Sequence, residues 1–435
     1  MSLYGALNIG VAGLSANSIA LSATSSNIAN VNTVGYKDET ANFETFLNSS
    51  GLVGNASAGV AAVIGQDVTT QGLPTQTSSP TDLSISGNGF FVVSTNSTGT
   101  GTQEYTRAGS FTPDSSGNLK NAAGLYLQGY ALDSSGNIPT NSSQLSLINV
   151  TNLAGKAEAT STMTLQANQE STSTVDSTYA TGDMTAGTAT PDFQRTINVY
   201  DSQGGVQPVS FSFIKTGANT WAYEAAYAGS ASNLSSANPI GTGTVSFNTD
   251  GSLANVNGAT PASGSLNLTI PWAASTGLAG QTVAVNLGTV GSTSGLTQFD
   301  TPSSFTGANP NGSPFGSVTG VTVASDGTVT AQFSNGLSQD VYKVPLATFA
   351  SPDGLGQVSG NAYVATKSSG AADVNLANTG PAGSVASNSL EASTVDLATE
   401  FTNLITTQRA YSASAQIIQT ANQMLQVLEQ LPNAS

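Results

Sequence analysis

The sequence predicts a mainly β fold that is enclosed by two terminal α-helices. Near both chain ends, apolar residues recur at alternating steps of four and three, which is the spacing of one helix face. Between the ends, short runs alternate apolar and polar residues and are separated by turn residues. We therefore expect nested β domains between paired terminal helices that form a coiled-coil-like module.

The N-terminal helix is predicted over Ser2–Asn30, a stretch without a charged residue. It should end near Asn30, because turn residues follow and Gly35 can adopt the left-handed conformation of a helix cap. Ser, Asn, Thr and Gly each cost roughly 0.5–1 kcal/mol relative to Ala, so helix formation should depend on packing against partners, and we expect disorder in a lone monomer. The periodic positions are Tyr4, Leu7, Val11, Leu14, Ser18, Leu21, Ser25 and Ile28.

The C-terminal helix shows two apolar seams, which predict neighbours on two sides. The first seam contains Leu397, Phe401, Leu404, Gln408, Tyr411, Ala415, Ile418, Asn422 and Leu425. The second contains Ile417, Ala421, Met424, Leu428 and Leu431. Together, residues 1–30 and 389–435 form the predicted helical domain.

The segment after the first helix, residues 31–80, gives few signals and is predicted as an extended connector. Residues 81–149 and 317–388 are predicted to form an inner β domain. Its clearest signal is a turn at Gly87–Gly89 that leads into a buried strand at Phe90–Val93.

Residues 150–316 are predicted to form an inserted outer β domain, either a sandwich or a barrel. Two alternating strands flank the turn Asp201–Gly205, and several similar strands follow. Residues 308–316 contain two Pro and two Gly and are predicted to be the linker that returns to the inner domain.

The composition excludes several function classes. A net charge of −16 disfavours nucleic acids and anionic membranes, and the absence of Cys and His removes thiol nucleophiles, imidazole bases and common zinc sites. No spacing singles out a carboxylate pair, so we predict no catalytic, cofactor or metal site.

Three aspartates, Asp201, Asp250 and Asp326, fit turns, with a calcium site as the alternative. Arg107 and Arg409 are either paired with a carboxylate or plain surface residues.

The chain start lacks a basic region, since its first cation is Lys37, and we find no apolar block long enough for a signal peptide or membrane helix. The low charge and the abundance of Gly, Ser, Thr and Asn are typical of secreted or surface β proteins. We expect export without a cleaved signal peptide.

Several stretches resemble bacterial flagellar axial proteins, and the flagellar hook protein family in particular. Asn27–Lys37 (NIANVNTVGYK) resembles the signature shared by rod, hook and hook-associated subunits. Ile85–Val93, Tyr105–Phe111 and Leu346–Gly356 resemble the hook and rod body, and Ser389–Leu397 with Gln408–Tyr411 resembles the C-terminal signature. The signature residues are Asn27, Asn30, Asn32, Gly35, Tyr36, Gly87, Gly89, Phe90, Phe91, Arg107, Gly109, Phe111, Leu390, Glu391, Asp396, Gln408 and Arg409.

This resemblance implies a structural protein and not an enzyme: a hook subunit that assembles into a hollow, curved, flexible tube and transmits motor torque as a universal joint. The implied partners are many copies of itself, the distal rod, the hook cap, the hook–filament junction protein and the type III export apparatus, and the implied location is extracellular. The implied polymerisation contacts are Leu7, Val11, Leu14, Leu21, Ile28, Leu397, Phe401, Leu404, Tyr411, Ile418, Leu425 and Leu428.

Three alternatives stay open at this point. A distal rod subunit shares the same signatures, but such proteins resemble a shorter version that lacks most of residues 150–315. A secreted adhesin fits the β-rich body, and a secreted glycosidase would need two paired carboxylates.

Some hook proteins cross-link neighbouring subunits through a cysteine-derived lysinoalanine bond, which this cysteine-free chain cannot form.

Overall fold

A computed structural model describes residues 3–47, 57–133, 135–139, 144–259 and 262–430. They form two compact units: residues 154–318 with 333–337 make up the second unit, and the remaining residues make up the first. The fold is mostly β with a long helix near each chain end, which confirms the predicted fold class. Our finer division into four parts stays a prediction.

The helices are α1 (Leu3–Ala29), the short α2 (Asp183–Ala186) and α3 (Leu397–Gln430). α1 ends where the sequence predicted. Gly35 does adopt a left-handed conformation, with φ of 66°. It lies beyond the helix end, however, so it shapes the following turn and is not a helix cap. Leu431 lies outside the described residues.

In the first unit, the strands before the insertion include a hairpin and a set of short antiparallel strands. The strands are β1 (Glu39–Leu47), β2 (Ser57–Gln66), β3 (Pro74–Gln76), β4 (Leu83–Ser86), β5 (Phe90–Ser94), β6 (Gln103–Thr106), β7 (Phe111–Pro113), β8 (Leu119–Asn121), β9 (Tyr126–Ala131) and β10 (Ser146–Leu147).

The segment that we predicted as an extended connector folds back on itself. β1 and β2 pair antiparallel, from Glu39 opposite Gln66 onwards, and both strands contact α1. The hairpin is stabilised by cross-strand pairing and by packing on α1, contacts that the sequence of this segment alone did not indicate.

The strands of the second unit form a β-sandwich, as one of the two predicted alternatives. They are β11 (Lys156–Glu158), β12 (Thr162–Glu170), β13 (Phe193–Tyr200), β14 (Val206–Gly217), β15 (Thr220–Tyr227), β16 (Gly241–Phe247), β17 (Leu253–Val256), β18 (Ser265–Ile270), β19 (Gln281–Asn286), β20 (Leu296–Phe299), β21 (Ser304–Pro310) and β22 (Ser313–Gly316). One sheet has the order β13–β14–β15–β16–β17, and the other has the order β18–β19–β12–β20 with β21 also on β12.

One hydrophobic core joins the two sheets of the sandwich, and the predicted inward residues Phe211, Trp221 and Tyr223 lie in it. The Trp221 indole N–H donates to Gln298 Oε1 of the other sheet at 2.8 Å. Our prediction that residues 308–316 form a linker was wrong. These residues belong to β21 and β22, which pair with β12 and β11, because antiparallel pairing satisfies a backbone that the Pro- and Gly-rich composition made look like a loop.

The chain then completes the first unit. These strands are β23 (Val318–Val323), β24 (Thr328–Phe333), β25 (Ser338–Lys343), β26 (Pro345–Thr348), β27 (Gly356–Val358), β28 (Ala362–Val364), β29 (Asp373–Leu376), β30 (Ser384–Ser387) and β31 (Ser389–Glu391). Its central strand β5 is buried along its whole length and pairs with β6, β9 and β26. Aromatic rings pack edge to face in this core, for example Phe91 and Phe111 at 5.7 Å.

The three predicted turn aspartates do cap turns. The Oδ1 atoms of Asp201, Asp250 and Asp326 each accept a hydrogen bond from the backbone N–H two residues later, at 2.8, 2.9 and 3.1 Å. The turn interpretation of these residues is therefore confirmed.

Within the described residues, the segment Gly5–Ala29 has the length and mean hydropathy (1.3) of a membrane-crossing helix. We had found no continuous apolar block long enough for a membrane helix; this helix passes by length and composition alone, a test that core helices also pass. In the structure, the same helix packs against α3 and the β1–β2 hairpin.

Candidate assembly surface at the two chain ends

The two terminal helices pack against each other at close range. A Cβ atom on Gly10 would lie 3.0 Å from Ile418 Cγ1, and one on Gly13 would lie 3.2 Å from Ser414 Oγ. The single chain therefore supplies part of the packing that we had expected only from other copies. That is why α1 forms a helix here in spite of its weak intrinsic propensity.

The side of α1 that is buried within the chain differs from the leucine stripe. Its buried side chains are small ones, among them Ala16, Ala20 and Ala23, which let α3 and the hairpin approach closely. Leu7, Leu14, Leu21 and Ile28 are only half-buried, and Val11 is 50% exposed. The stripe is therefore not the intramolecular core of α1, and its role as a polymerisation contact stays a prediction.

On α3, the first predicted seam divides between two environments. Leu404, Tyr411, Ile418 and Leu425 are half-buried, whereas Leu397 and Phe401 are exposed. The side chains of Tyr4 and Leu428 lie outside the described part of the chain.

Further apolar residues of α3 point into solvent. Phe401, Ile405, Ile417 and Met424 are 50–52% exposed. With about 100° between successive residues, Phe401 and Ile405 lie on one flank of the half-buried seam, and Ile417 and Met424 lie on the opposite flank. We call these four residues the α3 flanks. They give α3 exposed apolar surface on two sides. Ile417 and Met424 belong to the second predicted seam, Phe401 belongs to the first and Ile405 to neither, so the prediction of neighbours on two sides stays a prediction.

A buried group of three charged residues, the buried triad, joins three distant parts of the chain. Lys37 follows α1, Arg107 follows β6, and Glu391 ends β31 just before α3. Lys37 Nζ lies 2.5 Å from Glu391 Oε1, and Arg107 Nη1 lies 3.2 Å from Glu391 Oε2. The three side chains are 0–3% exposed.

Further hydrogen bonds surround the triad, while Arg107 Nε is buried without a partner among the described residues. The backbone N–H of Gly72 donates to Glu391 Oε1 at 2.9 Å, and Arg107 Nη2 donates to the Gly87 carbonyl at 2.9 Å. Lys37 Nζ also donates to the Thr70 carbonyl. Burial lowers the pKa of Lys37 and that of Arg107, while the charge of Glu391 opposes this effect at both cations.

The turn after α1 is tied to its own helix through Asn27. The Asn27 Oδ1 atom accepts hydrogen bonds from the Tyr36 hydroxyl at 3.1 Å and from the Glu39 N–H at 2.8 Å. Burial is the main factor that raises the pKa of Tyr36 to about 12. This turn therefore has one fixed geometry relative to α1.

The same turn is tied to the segment that precedes α3. Gly35 N–H donates to the Glu391 carbonyl at 2.8 Å, and the Thr394 hydroxyl bonds Asp38 Oδ1 at 2.6 Å. A side chain at Gly35 would collide with the backbone of Arg107, since its Cβ would lie 2.7 Å from Arg107 C. The entry and exit of the β body thus form one rigid unit.

The remaining signature residues occupy several kinds of position. Asp396 caps α3, because its Oδ1 accepts from the Ala398 N–H at 2.8 Å. Gly87 and Gly89 have φ of 97° and 123°, and a Cβ at Gly109 would lie 1.8 Å from the Leu83 carbonyl oxygen. The core contains Phe90, Phe91 and Phe111, and Leu390 is half-buried. The side chain of Asn30 accepts a hydrogen bond from the Thr33 hydroxyl. The exposed signature residues are Asn32, Gln408 and Arg409.

Two outcomes concern the cations. Arg107 does pair with a carboxylate, as one of the two alternatives held, whereas Arg409 has no ion pair among the described residues. Sequence reasoning did not select Lys37 or Thr394 as functional residues. The available signal was that Lys37 is the first charge after a long uncharged stretch.

Comparison with known proteins identifies the family. Residues 7–37 match the family described as flagella basal body rod protein, and residues 84–152 match the flagellar hook protein FlgE/F/G D1 domain. Residues 170–313 match the flagellar basal body protein FlaE D2 domain, and residues 386–431 match the flagellar basal body rod FlgEFG protein C-terminal family.

Several curated relatives match over almost the whole chain. The flagellar hook protein FlgE of Caulobacter vibrioides is 34% identical over 98% of this chain and 99% of its own length. That of Rhizobium meliloti is 35% identical over 99% and 100%, and that of Salmonella typhimurium is 33% identical over 97% and 98%. The chain therefore belongs to the flagellar hook protein family, whose members are structural proteins of the flagellar hook and not enzymes.

Proposed function

We propose that this chain assembles with many identical copies into a hollow, curved and flexible hook tube, which transmits torque from the rod to the filament as a universal joint. The observation that carries this proposal is the pair of α3 flanks beside the packed α1. Exposed apolar surface on two sides of a helix is stabilised when neighbours cover it, and contacts that repeat head to tail build open helical assemblies.

In this proposal the helical domain, residues 1–30 and 389–435, forms the inner tube around an export channel. The polar but nearly uncharged residues left on the helices would then line the lumen, and such a wall would not hold a passing unfolded chain. The half-buried leucines of α1 and the α3 flanks would meet neighbouring copies, and the two β domains would lie outside.

The buried triad gives the proposed tube a mechanical link to the β body. Lys37 and Glu391 lie beside the two terminal helices in the sequence, and Arg107 belongs to the β body. A force on either helix would therefore reach the β strands through charged hydrogen bonds shielded from water, which are stronger than neutral ones.

Curvature requires contacts between copies that slide. We propose that the region of residues 31–80 and the Ser- and Thr-rich outer surfaces supply them. Removal of residues 150–316 should then change the supercoil of isolated hooks in electron micrographs, and unchanged curvature would exclude a role for that insert.

By resemblance, the proposed partners are the distal rod, the hook cap, the hook–filament junction protein and the flagellar export apparatus, with export that leaves the N-terminus uncleaved. The distal rod alternative is not favoured, because hook relatives match through residues 170–313 as well as at the ends. The adhesin alternative has no supporting observation beyond the β-rich body.

The test is the polymerisation of purified protein in concentrated ammonium sulfate, a salt that strengthens apolar burial, followed by electron microscopy. We expect short curved tubes from the wild type and none from Phe401→Asp combined with Ile417→Asp. Gln416→Asp is the matched control, because Gln416 is exposed and polar on the same helix, and it should still assemble. Tubes from the double variant would refute the assembly role of the α3 flanks.

A further inference from the structure

The sequence contains four Asn–Gly steps, which begin at Asn88, Asn257, Asn311 and Asn335. At such a step the backbone nitrogen of the glycine can attack the amide carbon of the asparagine side chain, because glycine has no Cβ to obstruct the approach. Asparagine is a chemically labile residue for this reason. Whether a given step reacts in the folded chain depends on whether its side-chain amide is free to turn towards the next nitrogen.

Two of these amides are fixed by hydrogen bonds at both of their polar atoms. Asn257 Oδ1 accepts from the Thr244 N–H at 3.0 Å, and its Nδ2 donates to the Tyr223 hydroxyl at 3.0 Å. Asn311 Oδ1 accepts from the Ser161 N–H at 2.9 Å, and its Nδ2 donates to Ser161 Oγ at 2.9 Å. Neither amide can turn towards the following glycine unless these bonds break.

The amide of Asn335 is fixed in the same way. Its Nδ2 donates to the carbonyls of Lys156 and Pro314 at 2.8 and 2.6 Å. Its Oδ1 accepts from the Leu337 N–H at 3.1 Å. Three hydrogen bonds therefore oppose rotation of this side chain.

The amide of Asn88 is free. Its side chain is exposed and makes no hydrogen bond to any described residue, and the attacking N–H of Gly89 likewise has no acceptor among them. Glycine stands on both sides of Asn88, and φ is 97° at Gly87 and 123° at Gly89. The Asn88 carbonyl accepts from the Gly383 N–H at 2.7 Å, which holds the main chain but leaves the side chain able to rotate.

We propose that Asn88 is a site of spontaneous deamidation in the folded protein, whereas the other three steps are protected. The Gly89 nitrogen loses its proton and bonds to the side-chain carbonyl carbon of Asn88. The bond from that carbon to Nδ2 breaks, so ammonia leaves and a cyclic succinimide remains. Water then opens the ring at either of its carbonyls and produces an aspartyl or an isoaspartyl residue at position 88. Both products carry one new carboxylate.

The new carboxylate would arise next to the buried triad. Asn88 and Arg107 line the same cavity of about 280 Å³, and Arg107 Nη2 donates to the carbonyl of Gly87, the residue before Asn88. The triad contains two cations and one carboxylate. Its excess positive charge attracts an anion, so the first unit accommodates a negative charge at this position better than elsewhere on its surface.

Peptide mapping of the wild-type protein by mass spectrometry tests the proposal. The protein is incubated in a mildly alkaline buffer, once folded and once in concentrated urea, and deamidation is followed at all four steps. In the folded protein, Asn88 should react at least about tenfold faster than the other three, since two or more hydrogen bonds hold each of those amides. In urea the four rates should become similar, because those hydrogen bonds are lost.

Equal rates at the four steps of the folded protein would overturn the proposal. A preference for Asn88 that persists unchanged in urea would also overturn it, because the fold would then not be its cause. Asn88→Gln is the matched control. It keeps the amide group but requires a larger ring, so deamidation at position 88 should disappear while the other three rates stay the same.

A second measurement tests the effect of the new charge. Asn88→Asp introduces that charge directly, and Asn152→Asp adds the same charge at an exposed position of the first unit outside this cavity. The urea midpoint of the first unit, followed by helical circular dichroism, should be higher in Asn88→Asp than in Asn152→Asp. A midpoint at or below that of Asn152→Asp would show that the triad does not accommodate the charge.

Discussion

Replacement of Glu391 by Gln tests whether the buried triad holds the two chain ends on the β body. Glu391 accepts hydrogen bonds from Lys37, Arg107 and Gly72, and its side chain is 1% exposed. The glutamine in Glu391→Gln has one acceptor oxygen and one NH2 donor group. One of the two cations would therefore face a donor, in a place where water cannot replace the lost carboxylate.

The loss of one partner from a buried ion pair destabilises a protein by about 3–5 kcal/mol. That range corresponds to a decrease of roughly 100-fold to 5,000-fold in the ratio of folded to unfolded first unit. A double loss for both cations would lie at the upper end. We expect the urea midpoint of the first unit to fall accordingly.

The two units can be followed separately in one experiment. Both long helices belong to the first unit, so helical circular dichroism reports mainly on it, whereas Trp221 and Trp272 both lie in the second unit. In Glu391→Gln the circular dichroism transition should shift and the tryptophan fluorescence transition should not. Glu44→Gln is the matched control, because Glu44 is exposed in the same unit, and it should change stability by less than about 0.5 kcal/mol.

A first-unit transition in Glu391→Gln that stays within the range of Glu44→Gln would refute the reasoning. It would mean that the triad is solvated or rearranged in solution, and that the chain ends are held by the other contacts, namely the hydrogen bonds of Gly35, Asn27 and Thr394 and the packing of α1 on α3.

Three further predictions concern the first unit, the first of them again the buried triad. Lys37→Met should destabilise the first unit less than Glu391→Gln does, because Arg107 and Gly72 still pair with Glu391. Burial lowers the pKa of Lys37 below 10.5, so just below that pH the unfolded chain binds more protons than the folded chain. In urea titrations, the stability of the wild type should therefore rise relative to that of Lys37→Met as the pH rises towards 10.5. The hydrogen bond from Lys343 is the main factor that lowers the pKa of Asp326 from 3.8 to about 2. The contribution of this pair to the free energy of unfolding is therefore present above pH 3.8 and is lost as the pH falls towards 2. Asp326→Asn should remove this acid dependence from the unfolding curve and should cost no more than about 1 kcal/mol, because the pair is partly exposed. Gly35→Ala should lower the melting temperature clearly more than Gly380→Ala does. Both positions have positive φ, but the new Cβ would meet the Arg107 backbone at Gly35, whereas the space at Gly380 is open. Equal shifts in melting temperature would show that backbone strain alone sets the loss of stability.

Several features could be predicted from the sequence because each is set by neighbours in the chain. Side-chain alternation placed Phe90 and Trp221 in β cores, and local hydrogen bonding placed the aspartates in turns. Helical spacing located α1 and α3, with the end of α1 correct to one residue. The linear signature of the two ends indicated the family, which the comparisons confirmed.

Tertiary structure decided what depends on residues far apart in the chain. Lys37 and Glu391 are separated by 354 positions, so no spacing rule connects them, and only the folded chain shows that both meet Arg107 away from water. The inward side of α1 was likewise undetermined, since small and large residues both recur at helical spacing. Small residues such as alanine and glycine occupy the inward side of α1, because the β1–β2 hairpin and α3 pack close to it. The larger apolar side chains of α1 therefore lie at the edges of this buried side.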